Sequence, residues 1–402
     1  MSLIRLQEIP YYPETLSSSQ PTYSAKEPSK VRMNECLRVP SCAILVTEHW
    51  ASPRRAVIDE FTVRREGPSR PESSLACVEI LGQSVLDRTI ARLLQEGVRT
   101  ISVITRRGCT SSRYSRKVEI TTTETQKDRW QLAERALRKH AGQGPEAVLV
   151  IKLGAYAEYD LPALMQFHRA KSQPVTPLRD GDGPLDSWIV GGAWARSTPD
   201  CILPFTESGA PDSSVPYAVE GYVNQLANAR DLRRLVVDAF LARCAIKPLG
   251  REIKPGVWMD DGAQVHRSAR LVAPAYLGRS ANVRPAAVIS RFSNLEHHCR
   301  IGEGSVVASA SILPHTIIGA GLDVSDAVVS GHEYEDIGRN VTLNIRDRKL
   351  IWDATPQGWR ALGSGREAGQ SLVSPLQPFG IEYSQYLSRA AGRLFRVFKG
   401  EV

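Results

Sequence analysis

Apolar positions along the chain follow two different rhythms. Up to about Pro40 the sequence is rich in Pro, Ser, Glu and Lys with little apolar periodicity, and residues 1–39 read as a flexible arm. An alternation of short buried runs and helical stripes follows. Cys42-Ala43-Ile44-Leu45-Val46 predicts a buried strand, and Ala76-Cys77-Val78-Glu79-Ile80 a second one. Ser84 predicts the cap of a helix whose stripe is Leu86, Ile90, Leu93 and Leu94, with Gly97 as its stop. Strand 101–104, a helix near Arg129–His140, strand 147–151 and a helix Leu161–Lys171 capped by Asp160 complete the alternation. Pro162 is tolerated in the first turn of that last helix, where its missing N–H has no partner to lose. Strands alternating with helices at this spacing predict an α/β fold with a mostly parallel sheet covered on both faces.

From about Val257 a six-residue period takes over. Met259, Val265, Leu271, Leu277, Val283, Ile289, Leu295, Ile301, Val307 and Leu313 are all aliphatic or Met. Two places earlier stand small side chains: Ala263, Ala269, Ala275, Ala281, Ala287, Ser293, Cys299, Ser305 and Ser311. The frame then slips by one and resumes at Ile318 and Val324. Leu277-Gly278, Ile301-Gly302, Ile318-Gly319 and Ile337-Gly338 add aliphatic–glycine steps. Neither a helical period nor simple alternation fits. Hexapeptide repeats of this kind wind a parallel β-helix, three short strands to a triangular turn, with one aliphatic per side pointing inward. Ser330–Asp336 reads as a loop leaving the coil. The division expected is 40–243 for the α/β domain, 246–346 for a left-handed β-helix and 347–402 for a tail.

The tail ends in Tyr386–Lys399, where Leu387, Ala391, Leu394 and Phe398 are flanked by Arg389, Arg393, Arg396 and Lys399. An amphipathic helix follows, docked on the coil or lying on an anionic membrane surface. A formal net charge of +8 fits an anionic partner, yet the arginines are dispersed and no basic run interleaved with aromatics argues for nucleic acid. No apolar stretch is long enough to span a bilayer, and the first residues lack a secretory layout, so the expected compartment is the cytoplasm. The seven cysteines form no C-x-x-C pair, which points to free thiols instead of a zinc site.

Several segments carry a family likeness. Ile80-Leu81-Gly82-Gln83-Ser84-Val85-Leu86-Asp87-Arg88 resembles a V-x-G-K-P-L-L turn into a helix, and Gln95–Val98 an E-A-G-I step. Phe167-His168-Arg169-Ala170-Lys171 with Thr176 resembles F-H-R-x-K…T, and Gly221–Leu226 resembles G-Y-W-x-D-I. In this order, followed by hexapeptides, they resemble the sugar-phosphate nucleotidylyltransferases, particularly mannose-1-phosphate guanylyltransferases and other NDP-sugar pyrophosphorylases. The resemblance covers about Pro40 to Arg346. It implies a Rossmann-like nucleotidyltransferase domain, a sugar nucleotide as ligand and a role in polysaccharide or cell-envelope sugar synthesis.

The chemistry it implies is attack of a sugar-1-phosphate on a nucleotide α-phosphate, expelling pyrophosphate. That reaction needs amides around the phosphates, a basic side chain and a carboxylate-held Mg²⁺. Where the family has its glycine-rich loop, this chain reads Thr47-Glu48-His49-Trp50-Ala51-Ser52-Pro53-Arg54-Arg55. The family's lysine falls at about Leu75, and its two metal aspartates fall at Ala155 and Gln225. Loss of four elements together predicts a non-catalytic assembly or regulatory subunit, oligomeric through the β-helix, with Mg²⁺ and a cofactor role only if activity survives. An active enzyme with relocated ligands would draw on Glu158, Asp160, Arg54 and Arg55. A third reading is a hexapeptide acyl-CoA acyltransferase, whose base would come from His266, His297, His298, His315 or His332, with His332 best placed in its loop.

Overall fold

The computed structural model describes residues 39–47, 77–105, 114, 116–123, 125–181, 183–198, 214–345 and 347–353, with 55–58, 63–66 and 126–127 as backbone only. Nearly all of the expected arm and the expected terminal helix 386–399 lie outside the described residues. The described residues form one compact unit of mixed α/β structure with parallel sheets.

Seven strands, numbered within their own sheet, make the first layer: β1 (Cys42–Thr47), β2 (Thr100–Thr105), β3 (Glu119–Thr122), β4 (Ala147–Leu153), β5 (Val175–Arg179), β6 (Pro184–Gly191) and β7 (Tyr217–Ala218). Their order is β7-β5-β6-β4-β1-β2-β3, with β6 antiparallel to both neighbours and the other pairs parallel. The two-residue alternation of β1 divides its side chains between the faces. Ala43 and Leu45 join one core with helices α1 (Val85–Gln95), α3 (Leu161–Lys171) and α5 (Ala229–Phe240). Cys42, Ile44 and Val46 join the other with α2 (Gln126–Gly142) and α4 (Gly192–Ser197). Ser84 and Asp160 accept from the third backbone amide beyond them, as N-caps should.

The expected strand 76–80 shrinks to Glu79–Ile80, outside the main sheet, and pairs with Gln83–Ser84 across a two-residue turn. Leu81 and Gly82 take φ of +54° and +87°, the signs a tight hairpin requires, so the chain reverses where a longer strand would continue. A Cβ on Gly82 would sit 2.3 Å from the Tyr276 hydroxyl, so close docking on the coil requires glycine there.

The six-residue rhythm lays one strand in each of three parallel sheets per turn. Val257–Met259, Ala275–Leu277, Ser293–Leu295, Ser311–Ile312 and Ala327–Ser330 stack in the sheet facing the α/β part. Gln264–Val265, Asn282–Val283, Arg300–Ile301 and Thr316–Ile318 form the second, and Arg270–Leu271, Val288–Ser290, Val306–Ala308 and Asp323–Ser325 the third. Leu277, Val283, Ile289, Leu295, Ile301 and Val307 are buried in one continuous core. The slip falls one step earlier than the sequence frame places it. Leu295 pairs with Ile312, and Ile312 takes the inward site while Leu313 faces the α/β core. Ala310 therefore fills the small slot, and Ser311 faces outward.

Ser330–Asp336 is a hairpin of strands rather than a loop: Glu333–Asp336 pairs antiparallel with Ala327–Ser330, and Val341–Ile345 continues the sheet. Strand Arg55–Ile58 adds to it in parallel, Arg55 opposite Thr342. Among the described residues no helix is long and apolar enough to cross a membrane. Among the described residues Cys42, Cys244 and Cys299 are free, but Cys77 is disulfide-bonded, against the expectation of free thiols throughout.

Candidate functional site

The positions to which the family resemblance assigns metal aspartates do converge. Ala155, just beyond β4, and Gln225 line one cleft of about 100 Å³ together with Thr89 and Arg92 of α1, Lys152 and Asp186. The cationic and anionic groups there are engaged with each other. Lys152 Nζ lies 2.8 Å from Asp186 Oδ2, and Gln225 donates its amide to Asp180 at 3.0 Å. Arg92 donates to the Ala157 carbonyl and lies over the Tyr159 ring, 4.8 Å from its centroid. A methyl and an amide stand where the metal chemistry needs carboxylates. Among the described residues no group of three His, Cys, Asp or Glu could hold a metal ion.

Glu158 and Asp160 lie at a neighbouring recess of about 460 Å³ with Glu96, Glu220 and Tyr217. Each has a local task. Glu158 Oε1 accepts from the Tyr156 hydroxyl and the Ala245 amide, both at 2.6 Å, tying the end of the α/β part to the chain that enters the coil. Burial, then the bond to Glu158, raises the Tyr156 pKa. Asp160 caps α3. Burial also pushes the Glu96 carboxyl above its ordinary range. Four carboxylates against Arg92 make this recess hostile to phosphate. Gly221 is needed beside it, since a Cβ there would come within 1.6 Å of the Glu158 carbonyl.

Glu48–Ser52, Arg54 and Leu75 lie outside the described residues, and the backbone of Arg55 pairs on the coil's sheet. His168 is buried and bonds Thr176 Oγ1 at 2.8 Å, bracing α3 against β5, and burial lowers its pKa. His332 is exposed at the hairpin turn, and His266 bonds Ser268 on the coil surface. His297, His298 and His315 come together at one corner of the coil.

The seam between the two parts was not anticipated from the sequence. Glu296, fully buried on the coil, accepts from the amides of Leu81 (2.7 Å) and Gly82 (2.9 Å) and from Asn294 Nδ2 (2.7 Å). Arg233 of α5 reaches across to Asn294 Oδ1, Ser311 Oγ and the Phe292 carbonyl. Burial pushes Glu296 up to about 7 and Arg233 down to about 10. The outward polar residues of the coil's first sheet, Asn294 and Ser311, were the available signal. The turn amides that resemble a family motif are spent on docking. Comparison with protein-family models matches none, and comparison with curated protein sequences finds no relative.

Proposed function

We propose that the chain is a sugar-phosphate nucleotidylyltransferase-like protein of NDP-sugar and polysaccharide synthesis that has lost catalysis and serves as a regulatory or assembly subunit. On this reading the sheet and helices are a Rossmann-like nucleotidyltransferase domain, and the three stacked sheets are a left-handed β-helix through which copies or partner subunits associate. The observation that carries it is the cleft: Ala155 and Gln225 share it, and Lys152 is already paired with Asp186. Mg²⁺ at an α-phosphate finds no paired carboxylates there, and about 100 Å³ is small beside the roughly 300 Å³ at which ligand pockets begin. Glu158 and Asp160 are held in structural bonds, which disfavours relocated ligands. On this reading the protein works in the cytoplasm.

Turnover tests it. Purified full-length chain with Mg²⁺, each NTP and a panel of hexose-1-phosphates should release no pyrophosphate above background, because several preorganised donors at about 3 kcal/mol of barrier each are missing together. Steady release with any sugar phosphate overturns the proposal.

A further inference from the structure

One corner of the coil, beside the hairpin Glu79–Ser84, gathers three histidines. His298 and His315 hold equivalent corner places in successive turns, at φ +57° and +62°, and their rings stack with centroids 5.2 Å apart. His297 turns toward the α/β part. Its Nδ1 bonds the Glu79 carboxylate, and its Nε2 lies 3.1 Å from Nε2 of His315. The His297 side chain is 18% exposed and that of Glu79 32%, so ions in solution can reach the pair.

The carboxylate fixes the tautomer. An ionised Glu79 accepts a hydrogen bond from the Nδ1–H of His297, so neutral His297 keeps its proton at Nδ1 and presents a bare lone pair at Nε2. That lone pair faces the ring nitrogen of His315, and a cation between them would satisfy both. We infer that His297 and His315 form a binding site for a divalent transition metal of the zinc class, held by their two Nε2 atoms, with Glu79 orienting His297.

The spacing suits the assignment. Two imidazole nitrogens at about 2.0–2.1 Å from one Zn²⁺ and 3.1 Å from each other subtend about 100°, close to tetrahedral. A carboxylate on the far nitrogen of a ligating histidine is the usual outer partner of such sites. Since no third protein donor converges among the described residues, water completes the coordination. Glu79 and Asp353 supply negative charge around the corner, and Arg279 opposes it. The metal would clamp two successive turns of the coil to each other, and the bond from His297 to Glu79 would tie that pair to the hairpin of the α/β part. This site stands whether or not the cleft is catalytic.

Calorimetric titration of Zn²⁺ into the full chain at neutral pH should saturate at one site. His315→Asn and His297→Asn should each abolish that heat, and Glu79→Gln should weaken affinity about tenfold or more. Asparagine tolerates the left-handed backbone at position 315, so the fold is expected to survive the change. His332→Asn should bind as the parent does. Substituted Cu²⁺ offers a second readout on the unmodified chain: its electron paramagnetic resonance spectrum should show coupling to two imidazole nitrogens. Unchanged binding in His315→Asn, no uptake by the parent, or a Cu²⁺ spectrum without nitrogen coupling overturns the assignment.

Discussion

Asn294 is the residue through which a buried cation and a buried carboxylate meet. Its carbonyl oxygen faces Arg233 and its amide nitrogen faces Glu296, so two charges that would each be costly alone share one neutral bridge. Arg233→Met should therefore destabilise the protein by about 3 kcal/mol, read as the shift of the denaturant midpoint. Glu296 gives a pH signature. Its folded pKa of about 7 stands above the roughly 4.3 of an unfolded glutamate, so between those values the folded state holds a proton that the unfolded state releases. Its contribution is fully present below pH ~4.3, falls as pH rises to about 7, and is flat beyond. Relative to Glu296→Gln, the parent should lose roughly 4 kcal/mol of stability across that window. Parallel stability–pH curves for the two proteins would show that Glu296 titrates normally in the fold.

At the scale of elements, the coil and the α/β sheet were legible because one rule of burial repeats. The inward sites of the coil take aliphatics every six residues, and the central strands of the sheet are buried on both faces, so the six-residue period located Leu277–Val307 and short apolar runs located β1, β2 and β4. The misreadings arose where two cores compete for adjacent residues. Ile312 and Leu313 are both aliphatic, and only the α/β core behind Leu313 decides which points inward. Likewise Ala76–Ile80 has strand composition, but Gly82 turns the chain back. The seam was illegible because Glu296 and Arg233 look like surface charges until the second part of the fold covers them. Leu277→Asp or Ile289→Asp should cost more than about 4 kcal/mol by placing an unpaired charge in the coil core. Unaltered melting in both variants would mean that these side chains do not point inward.

For the whole molecule, the covered ends of the coil redirect the expected self-association. Arg251–Lys254 pairs on the first sheet's leading strand, and Glu333–Asp336 and Ile351–Asp353 pair on trailing strands, blunting those edges. Association should then use the flat third sheet, where Val288 and Val306 stand half-buried on the outer face. Light scattering should give a dimer or larger assembly that Val306→Glu dissolves; a monomer at micromolar concentration would contradict this. Ala155 and Gln225, the positions to which the resemblance assigns metal aspartates, share a cleft, whereas the partners Asp180 and Asp186 that fill their surroundings carry no motif. On the proposed function, this cleft does not anchor a metal–nucleotide complex. Mn²⁺, which prefers oxygen ligands, reports on that directly through its paramagnetic resonance signal when titrated with protein and NTP. The signal should remain that of the free metal–nucleotide complex at every protein concentration. A stoichiometric protein-bound Mn²⁺–nucleotide species, lost in Asp186→Asn, would contradict it and return the cleft to catalysis.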